Sequence, residues 1–264
     1  MITVHSGQNP RVRALRDLKQ AKVRQETGCF LVEGVKLCAE ALRDAEVVTL
    51  LADMDKAEAF APLLAQASDV LLAPGRVVEG VCEAQTPQGI AASVRFPRPL
   101  ALSAAQGPLL VLDGVQDPGN AGTMLRTAEA AGFAGALLSP QCADAFAPKT
   151  TRASMGSVLR LPLWRGMLEE ALVLLAEEGY TLVSAELGGT PFQKTTTDIG
   201  ARFALVIGSE GHGVSPAVSA LCGLRVSLPM RGRAESLNAA VAAGILMYGL
   251  TAGNLGGVDR ETGT

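Results

Sequence analysis

The sequence predicts an α/β protein made of two successive α/β regions. Three observations carry this. Short β-type apolar runs alternate with helical segments along most of the chain. Leu109-Leu-Val-Leu112 is a continuous apolar run of the kind found in strands buried on both faces of a parallel sheet. A composition break, from Pro97-Arg-Pro99 to Gly107-Pro108, divides the alternation in two. The organisation read from these is a first domain over 1–97, a linker over 98–107, a second domain over 108–252 and a flexible tail over 253–264.

In the first region, Pro10 opens a helix over 10–25 with Val12, Leu15 and Leu18 on one face, closed by Gly28. Phe30–Val32, Val47–Leu51, Val70–Leu72 and Ile90–Val94 read as strands, and 35–42, 57–67 and 74–81 as helices. In the second region, Asp117-Pro118 fits the cap and first position of a helix running to about Ala131. Ala121, Leu125 and Ala128 share its buried face, and Gly122, Arg126 and Glu129 share another. Gly135–Leu138 is a strand, 148–157 a polar helix exposing Lys149 and Arg152, 159–163 a short strand, and 167–178 an amphipathic helix. Residues 180–185 form a strand, followed by a Thr/Gly-rich loop to residue 200. Two apolar runs then end in backbone-rich turns, Gly208-Ser-Glu-Gly-His-Gly213 and Leu228-Pro-Met230. The triplet Ser236-Leu237-Asn238 opens an alanine-rich helix. Adjacent strand ends with such loops make a small-molecule pocket.

Composition narrows the function. Of the residues 48% are hydrophobic and only 4% aromatic, so the core is built of Ala, Val and Leu. A net charge of −3 advertises no nucleic acid globally. Locally, Arg11, Arg13, Arg16, Lys19, Lys22 and Arg24 stand against Asp17 alone. That run fits a solvated helix face as well as a basic arm that contacts phosphates. Five cysteines, none in a C-x-x-C pair, argue against a zinc site and a disulfide framework and for a reducing, cytoplasmic setting. No apolar run is long enough to span a bilayer, and neither a signal peptide nor a metal-ligand cluster is visible.

Singly, the polar residues of the second region have plain readings. The glycine turn after residue 207 has G-x-x-G-x-G spacing, which speaks against a dinucleotide site and leaves a tight turn or a ligand cradle. Ser236 and Asn238 suit helix capping, Asn120 a loop-to-helix cap and Arg126 an ordinary surface position.

In combination they say more. Asn120-x-Gly122-x-x-x-Arg126, Ile207-Gly-Ser-Glu-Gly211, and Leu228-Pro-Met230 with Glu235-Ser-Leu-Asn238 follow one another behind a β/α domain. This order closely resembles the three motifs of the SpoU/TrmH branch of the SPOUT RNA methyltransferases. Phe30-Leu-Val-Glu-Gly34 and Thr86-Pro-Gln-Gly89 resemble the L30e-like substrate-binding domain of that family. The resemblance implies a C-terminal α/β trefoil-knot (SPOUT) domain behind a smaller N-terminal L30e-like α/β domain. It also implies a homodimer and transfer of a methyl group from S-adenosylmethionine to a ribose 2′-hydroxyl. Gly208, Leu228, Met230 and Leu237 would line the donor site. Arg126 would be catalytic, with Asn120, Glu210, Ser236 and Asn238 as polar companions. Arg11, Arg13, Arg16, Lys22, Arg24 and Arg152 are the candidate RNA contacts, with rRNA favoured over tRNA and neither a metal nor a membrane involved. The alternative is a non-catalytic RNA-binding or ribosome-assembly factor on the same scaffold.

Overall fold

The computed structural model describes residues 1–195 and 199–252, so the expected flexible tail over 253–264 lies outside the described residues. The chain forms two compact units. One holds Met1–Arg98 together with Asp144–Arg160, the other Pro99–Ala143 and the chain from Leu161 onward. The 144–160 segment, read in the sequence as part of the second domain, thus belongs to the first unit.

The first unit begins β1 (Ile2–Thr3), α1 (Pro10–Asp17), α2 (Ala21–Thr27), β2 (Cys29–Glu33), α3 (Val35–Asp44) and β3 (Val47–Asp53). It continues α4 (Ala61–Leu64), β4 (Val70–Ala73), α5 (Gly75–Val81) and β5 (Ile90–Arg95). Its five strands lie in the order β1-β4-β3-β5-β2, with β5 antiparallel to both neighbours and the other pairs parallel. Val12, Leu15 and Leu18 pack with Val77, Val78 and Val81 over one face of this sheet.

Two departures from the expected helices have local causes. The helix foreseen over 10–25 is two helices, because the guanidinium of Arg24 turns back and donates through Nη1 to the carbonyls of Leu18 and Lys19 (2.8 and 2.7 Å). Those bonds satisfy carbonyls that a continuous helix would have used. The helix foreseen over 57–67 shrinks to α4, since Pro62 has no N–H and belongs in a first turn.

The second unit carries β6 (Leu109–Asp113), α6 (Pro118–Ala130) and β7 (Gly135–Leu138). The chain then supplies α7 (Pro148–Ala153) to the first unit. It resumes with β8 (Leu163–Arg165), α8 (Leu168–Glu177), β9 (Thr181–Pro191), β10 (Phe203–Gly208), α9 (Pro216–Leu221), β11 (Leu224–Ser227) and α10 (Ala239–Thr251). The six strands are all parallel, ordered β11-β9-β10-β6-β7-β8. Leu109 and Val111 face a layer containing Leu168, Leu172, Leu175 and Val218. Their alternates Leu110 and Leu112 point to the opposite face, where α6 and α10 pack together and against β6 and β10. Both faces of the sheet are therefore covered, as the apolar run of β6 predicts. The strand expected over 159–163 starts only at Leu163, after Pro162. The loop expected from 186 is instead a continuation of β9, held by β11 through Val226↔Thr190 and Ser227↔Pro191.

Within the first unit the 144–160 segment is tied by rings and charges. Phe146 stacks on Phe96 with centroids 4.5 Å apart and tilts against Phe30 at 4.9 Å. Arg152 pairs with Glu33, whose carboxylate also accepts the backbone N–H of Glu83 at 2.7 Å and of Ala84 at 3.3 Å. Arg160 reaches Glu40 and Asp44 (3.2 and 3.3 Å).

Candidate active site

The strand order reverses direction at β6: the chain runs outward through β7 and β8 on one side and returns through β9, β10 and β11 on the other. In open parallel sheets the carboxyl ends of strands at such a point form the ligand crevice. The loops that leave β6 and β10 there carry the polar residues singled out above.

Asp117 caps α6, its Oδ1 accepting the N–H of Asn120 at 2.7 Å. That bond fixes the first turn and aims the Asn120 side chain outward. Asn238, not Ser236, is the cap of α10. Its Oδ1 accepts the N–H groups of Ala240 (2.9 Å) and Val241 (3.2 Å). With that oxygen committed, Asn238 Nδ2 is left as a donor, and it donates to Asn120 Oδ1 at 3.0 Å. Asn120 Nδ2 then donates to Glu210 Oε1 at 2.6 Å. The amide orientations follow from this chain of donors and acceptors, which starts at two backbone N–H groups and ends on a carboxylate.

Glu210 rides on a loop closed by reciprocal backbone bonds between Ser209 and Gly213 (3.0 and 2.9 Å). Gly208 is required by this closure. A Cβ there would sit 1.9 Å from the carbonyl carbon of Gly213 and 2.1 Å from the nitrogen of Val214. The glycine therefore serves the tight turn, and the turn in turn borders a cavity.

That cavity has a volume of about 800 Å³. Gly208, Leu228, Met230 and Leu237, the four residues expected to line a donor site, all line it, as do Glu210, Ser236 and Asn238. A second cavity of about 690 Å³ shares the 209–213 loop and extends over Asp113, Ser139 and Met167. Arg126 is not among the lining residues of either. It is exposed on α6 and has no hydrogen bond or ion pair among the described residues. Six residues separate it from Asn120, about 9 Å along the helix axis at ~1.5 Å per residue. The structure thus brings Asn120, Glu210 and Asn238 into bonded contact, sets Ser236 beside them, and leaves Arg126 apart on the same helix.

The candidate RNA contacts divide in the same way. Arg13 and Lys22 are exposed and Arg16 is half-buried. Arg11 is paired with Asp69, and Arg152 with Glu33. Arg24, expected on the exposed arm, is 3% exposed. Its Nε and Nη2 bind Asp144 Oδ2 at 3.1 and 2.5 Å, and its Nη1 caps α1. Such a buried, fully bonded guanidinium is a folding element, which corrects the expectation that Arg24 meets RNA. A residue that sequence reading passed over, Glu186, also lines the larger cavity. It lies in a stretch whose glycines, Gly188 and Gly189, suggest a loop and not a strand. Among the described residues no cluster of three or more metal-ligating side chains forms, the five cysteines are buried and free, and no helix is long and apolar enough to cross a membrane.

Comparison with known proteins fits this geometry. A family model described as the SpoU rRNA Methylase family matches residues 107–248. The chain belongs to the SpoU rRNA methylase family. The SpoU match spans β6 to α10 and so includes all three bonded residues and every cavity-lining residue foreseen. A second model, an MRM3-like substrate binding domain, matches residues 9–92. Among the SpoU relatives is the 23S rRNA (guanosine(2553)-2'-O)-methyltransferase RlmP of Bacillus subtilis (strain 168). It is 37% identical over 95% of this chain and 99% of the relative. The AdoMet-bound rRNA methyltransferase from Sinorhizobium meliloti has a TM-score of 0.83 at 32% identity, covering 95% of this chain and 98% of that one. The SpoU methyltransferase AviRb from Streptomyces viridochromogenes, solved in complex with AdoMet, has a TM-score of 0.85 at 28% identity, covering 95% and 100%.

Proposed function

We propose that this SpoU-family chain methylates a ribose 2′-hydroxyl of ribosomal RNA, with S-adenosylmethionine as donor. One observation carries the reading. Asn120, Glu210 and Asn238, from three motifs up to 118 residues apart, form one hydrogen-bonded chain, and its two ends, Glu210 and Asn238, line a single cavity. The names of the relatives support the substrate, since the Bacillus subtilis protein acts on 23S rRNA and the Sinorhizobium meliloti protein is solved with AdoMet.

The residues present fit such a donor. Ile207, Leu228, Met230, Leu237 and Leu246 give apolar walls for a purine and the methylene groups of a methionine chain, and the polar groups sit at loop ends where they can orient it. When bound, the donor supplies a methyl group on a sulfonium. The protein's task is alignment, which is worth up to roughly 7–11 kcal/mol when two reactants are held in reacting geometry. The Asn238–Asn120–Glu210 chain ties the α10 cap, the first turn of α6 and the glycine loop together, so the cavity mouth holds one shape. Arg126 grips the phosphate beside the target ribose and steers the hydroxyl toward the donor. A guanidinium is a poor proton acceptor and a good planar donor, so Arg126 acts as a positioner and not as a base. Its separation from Asn120 along α6 suits a phosphate neighbouring the reacting ribose.

Two copies pair through α10. Val241, Ile245 and Tyr248, at i, i+4 and i+7, form an apolar stripe that is exposed in the single chain. The 1–97 domain supplies RNA contacts through Arg13, Arg16 and Lys22, the arm cations with least internal engagement. Arg11 and Arg152 are drawn toward carboxylates of the protein itself. The chain over 203–251 is threaded as a trefoil knot, and the protein works in the cytoplasm.

The test is transfer of tritiated methyl groups from S-adenosylmethionine to ribosomal RNA by the purified protein. Label recovered in an alkali-stable dinucleotide is expected, because a 2′-O-methyl blocks cleavage of the adjacent phosphodiester. Label on a base would overturn the ribose assignment. RNA binding without transfer would favour the non-catalytic scaffold.

A further inference from the structure

Glu186 occupies a place in β9 where the strand changes partners. Residues 181–184 pair with β10, while β11 pairs with 183–184 and then, after a register shift, with 190–191. The intervening bulge turns Ala185, Glu186 and Leu187 toward the larger cavity. A carboxylate in such a wall costs desolvation unless something holds it, and here two hydroxyl donors and one guanidinium charge converge on one of its oxygens. Oε1 accepts the hydroxyl of Ser184 at 2.6 Å and that of Ser219 at 2.7 Å, with Nε of Arg225 at 3.8 Å. Ser184 is fully buried and Ser219 nearly so, which makes the restraint part of the fold. Oε2 takes no donor among the described residues, and the side chain is 25% exposed. The result is a fixed carboxylate on a residue that lines the cavity, with one oxygen engaged by the protein and the other without a donor among the described residues.

We propose that Glu186 recognises the ribose diol of the adenosyl donor. This rests on the donor assignment made above and identifies one residue through which the cavity reads its ligand. Three groups of the donor could reach a carboxylate: the diol, the α-ammonium and the adenine amine. Arg225 beside Glu186 cancels its charge at short range, so an ammonium gains little Coulomb energy there. An exocyclic amine is served as well by a backbone carbonyl. A vicinal diol offers two O–H donors to a carboxylate whose remaining lone pairs are open, the chemistry by which acidic residues read a ribose in dinucleotide-binding folds. Burial alone would push the Glu186 carboxyl up; the two serine hydroxyls and Arg225 outweigh it and hold the pKa below its ordinary value. The group is therefore an acceptor at neutral pH, as the diol requires.

Calorimetry on the full-length protein and its Glu186→Gln variant tests this with three ligands: S-adenosylhomocysteine, 5′-methylthioadenosine, which lacks the amino-acid end, and 2′,3′-dideoxy-5′-methylthioadenosine. Loss of a hydrogen bond to a charged group weakens binding about tenfold or more. A loss of that size is expected for the first two ligands. The dideoxy ligand is expected to bind both proteins equally, a cancellation that misfolding of the variant would not produce. Ser219→Ala, which frees the carboxylate without removing it, is expected to give a smaller loss of the same pattern. Equal affinity of both proteins for 5′-methylthioadenosine would overturn the assignment, and a loss confined to S-adenosylhomocysteine would overturn it in favour of the ammonium. Failure of the unmodified protein to bind S-adenosylhomocysteine would instead bring down the donor reading itself, and this proposal with it.

Discussion

Asn238 serves two structures at once, and two substitutions separate them. Its Oδ1 caps α10 by accepting two backbone N–H groups, and its Nδ2 donates to Asn120. Asn238→Ala removes both functions. Loss of a side-chain cap costs about 0.5–2 kcal/mol. For a protein of this size a change of about 1 kcal/mol lowers the melting temperature by roughly 2–4 °C. Asn238→Asp keeps an acceptor oxygen at a helix N-terminus, where a carboxylate is favoured, so the melting temperature is expected to stay at or above that of the unmodified protein. It cannot donate to Asn120 Oδ1, however, and sets two acceptors against each other. The Asn120–Glu210 link then loses its fixed orientation, and a misplacement of about 1 Å in a site of this kind costs on the order of 100-fold in rate. Thermal unfolding and methyl transfer measured on the same preparations give the pair of readouts. A stable, slow Asn238→Asp enzyme is the expected result. An Asn238→Asp enzyme as fast as the unmodified protein would refute the claim that the amide chain organises the site.

Arg126→Lys keeps the charge but loses the planar fork, so turnover is expected to fall at least about 100-fold while donor affinity stays the same. Single-turnover rates and calorimetry check this, and full turnover in the variant would remove the positioning role. Arg24→Ala leaves Asp144 without its partner inside the first unit, which should cost about 3–5 kcal/mol in urea unfolding. Arg13→Ala should leave stability unchanged and instead reduce the slope of RNA affinity against salt concentration. Arg43, with Arg160 beside it, holds the Asp44 carboxyl down from 3.8 to about 2. A depressed carboxyl contributes stability that is present above its unfolded value and lost as pH falls through the folded one. Acid unfolding curves should therefore lose that contribution between pH 3.8 and about 2. The Asp44→Asn variant should show a shallower fall across that window.

Local signals made much of the fold legible. The apolar runs of β6, β7 and β10 and the Asp117-Pro118 start of α6 stand in the structure where their residues place them. Features that depend on partners distant in sequence were not legible. The extension of β9 across Gly188 and Gly189 is held by β11, some 36 residues later. The six-residue helix α9 is too short for a periodicity to develop. Nothing local to Phe146 or Arg152 announces that they pack with Phe30 and Glu33, more than 100 residues earlier. At the site, the motif order selected Asn120, Glu210 and Asn238. It could not tell that Asn238 and not Ser236 caps α10, because both residue types cap and only the backbone bonds decide. A run of basic residues likewise does not distinguish Arg13, which faces water, from Arg24, which points inward to Asp144. Glu186 carries no motif at all, and its surroundings emerge only when Ser184, Ser219 and Arg225 converge on it.

If this SpoU-family chain places a methyl group on a ribose of ribosomal RNA, the modification pattern of the cell depends on it. Mapping 2′-O-methyl groups across the rRNA and tRNA of cells with and without the protein tests it most directly. One nucleotide of the large ribosomal RNA is expected to lose its 2′-O-methyl when the protein is absent and to regain it when the protein, but not its Asn238→Asp variant, is restored. An unchanged rRNA map, or a loss confined to tRNA, would contradict it.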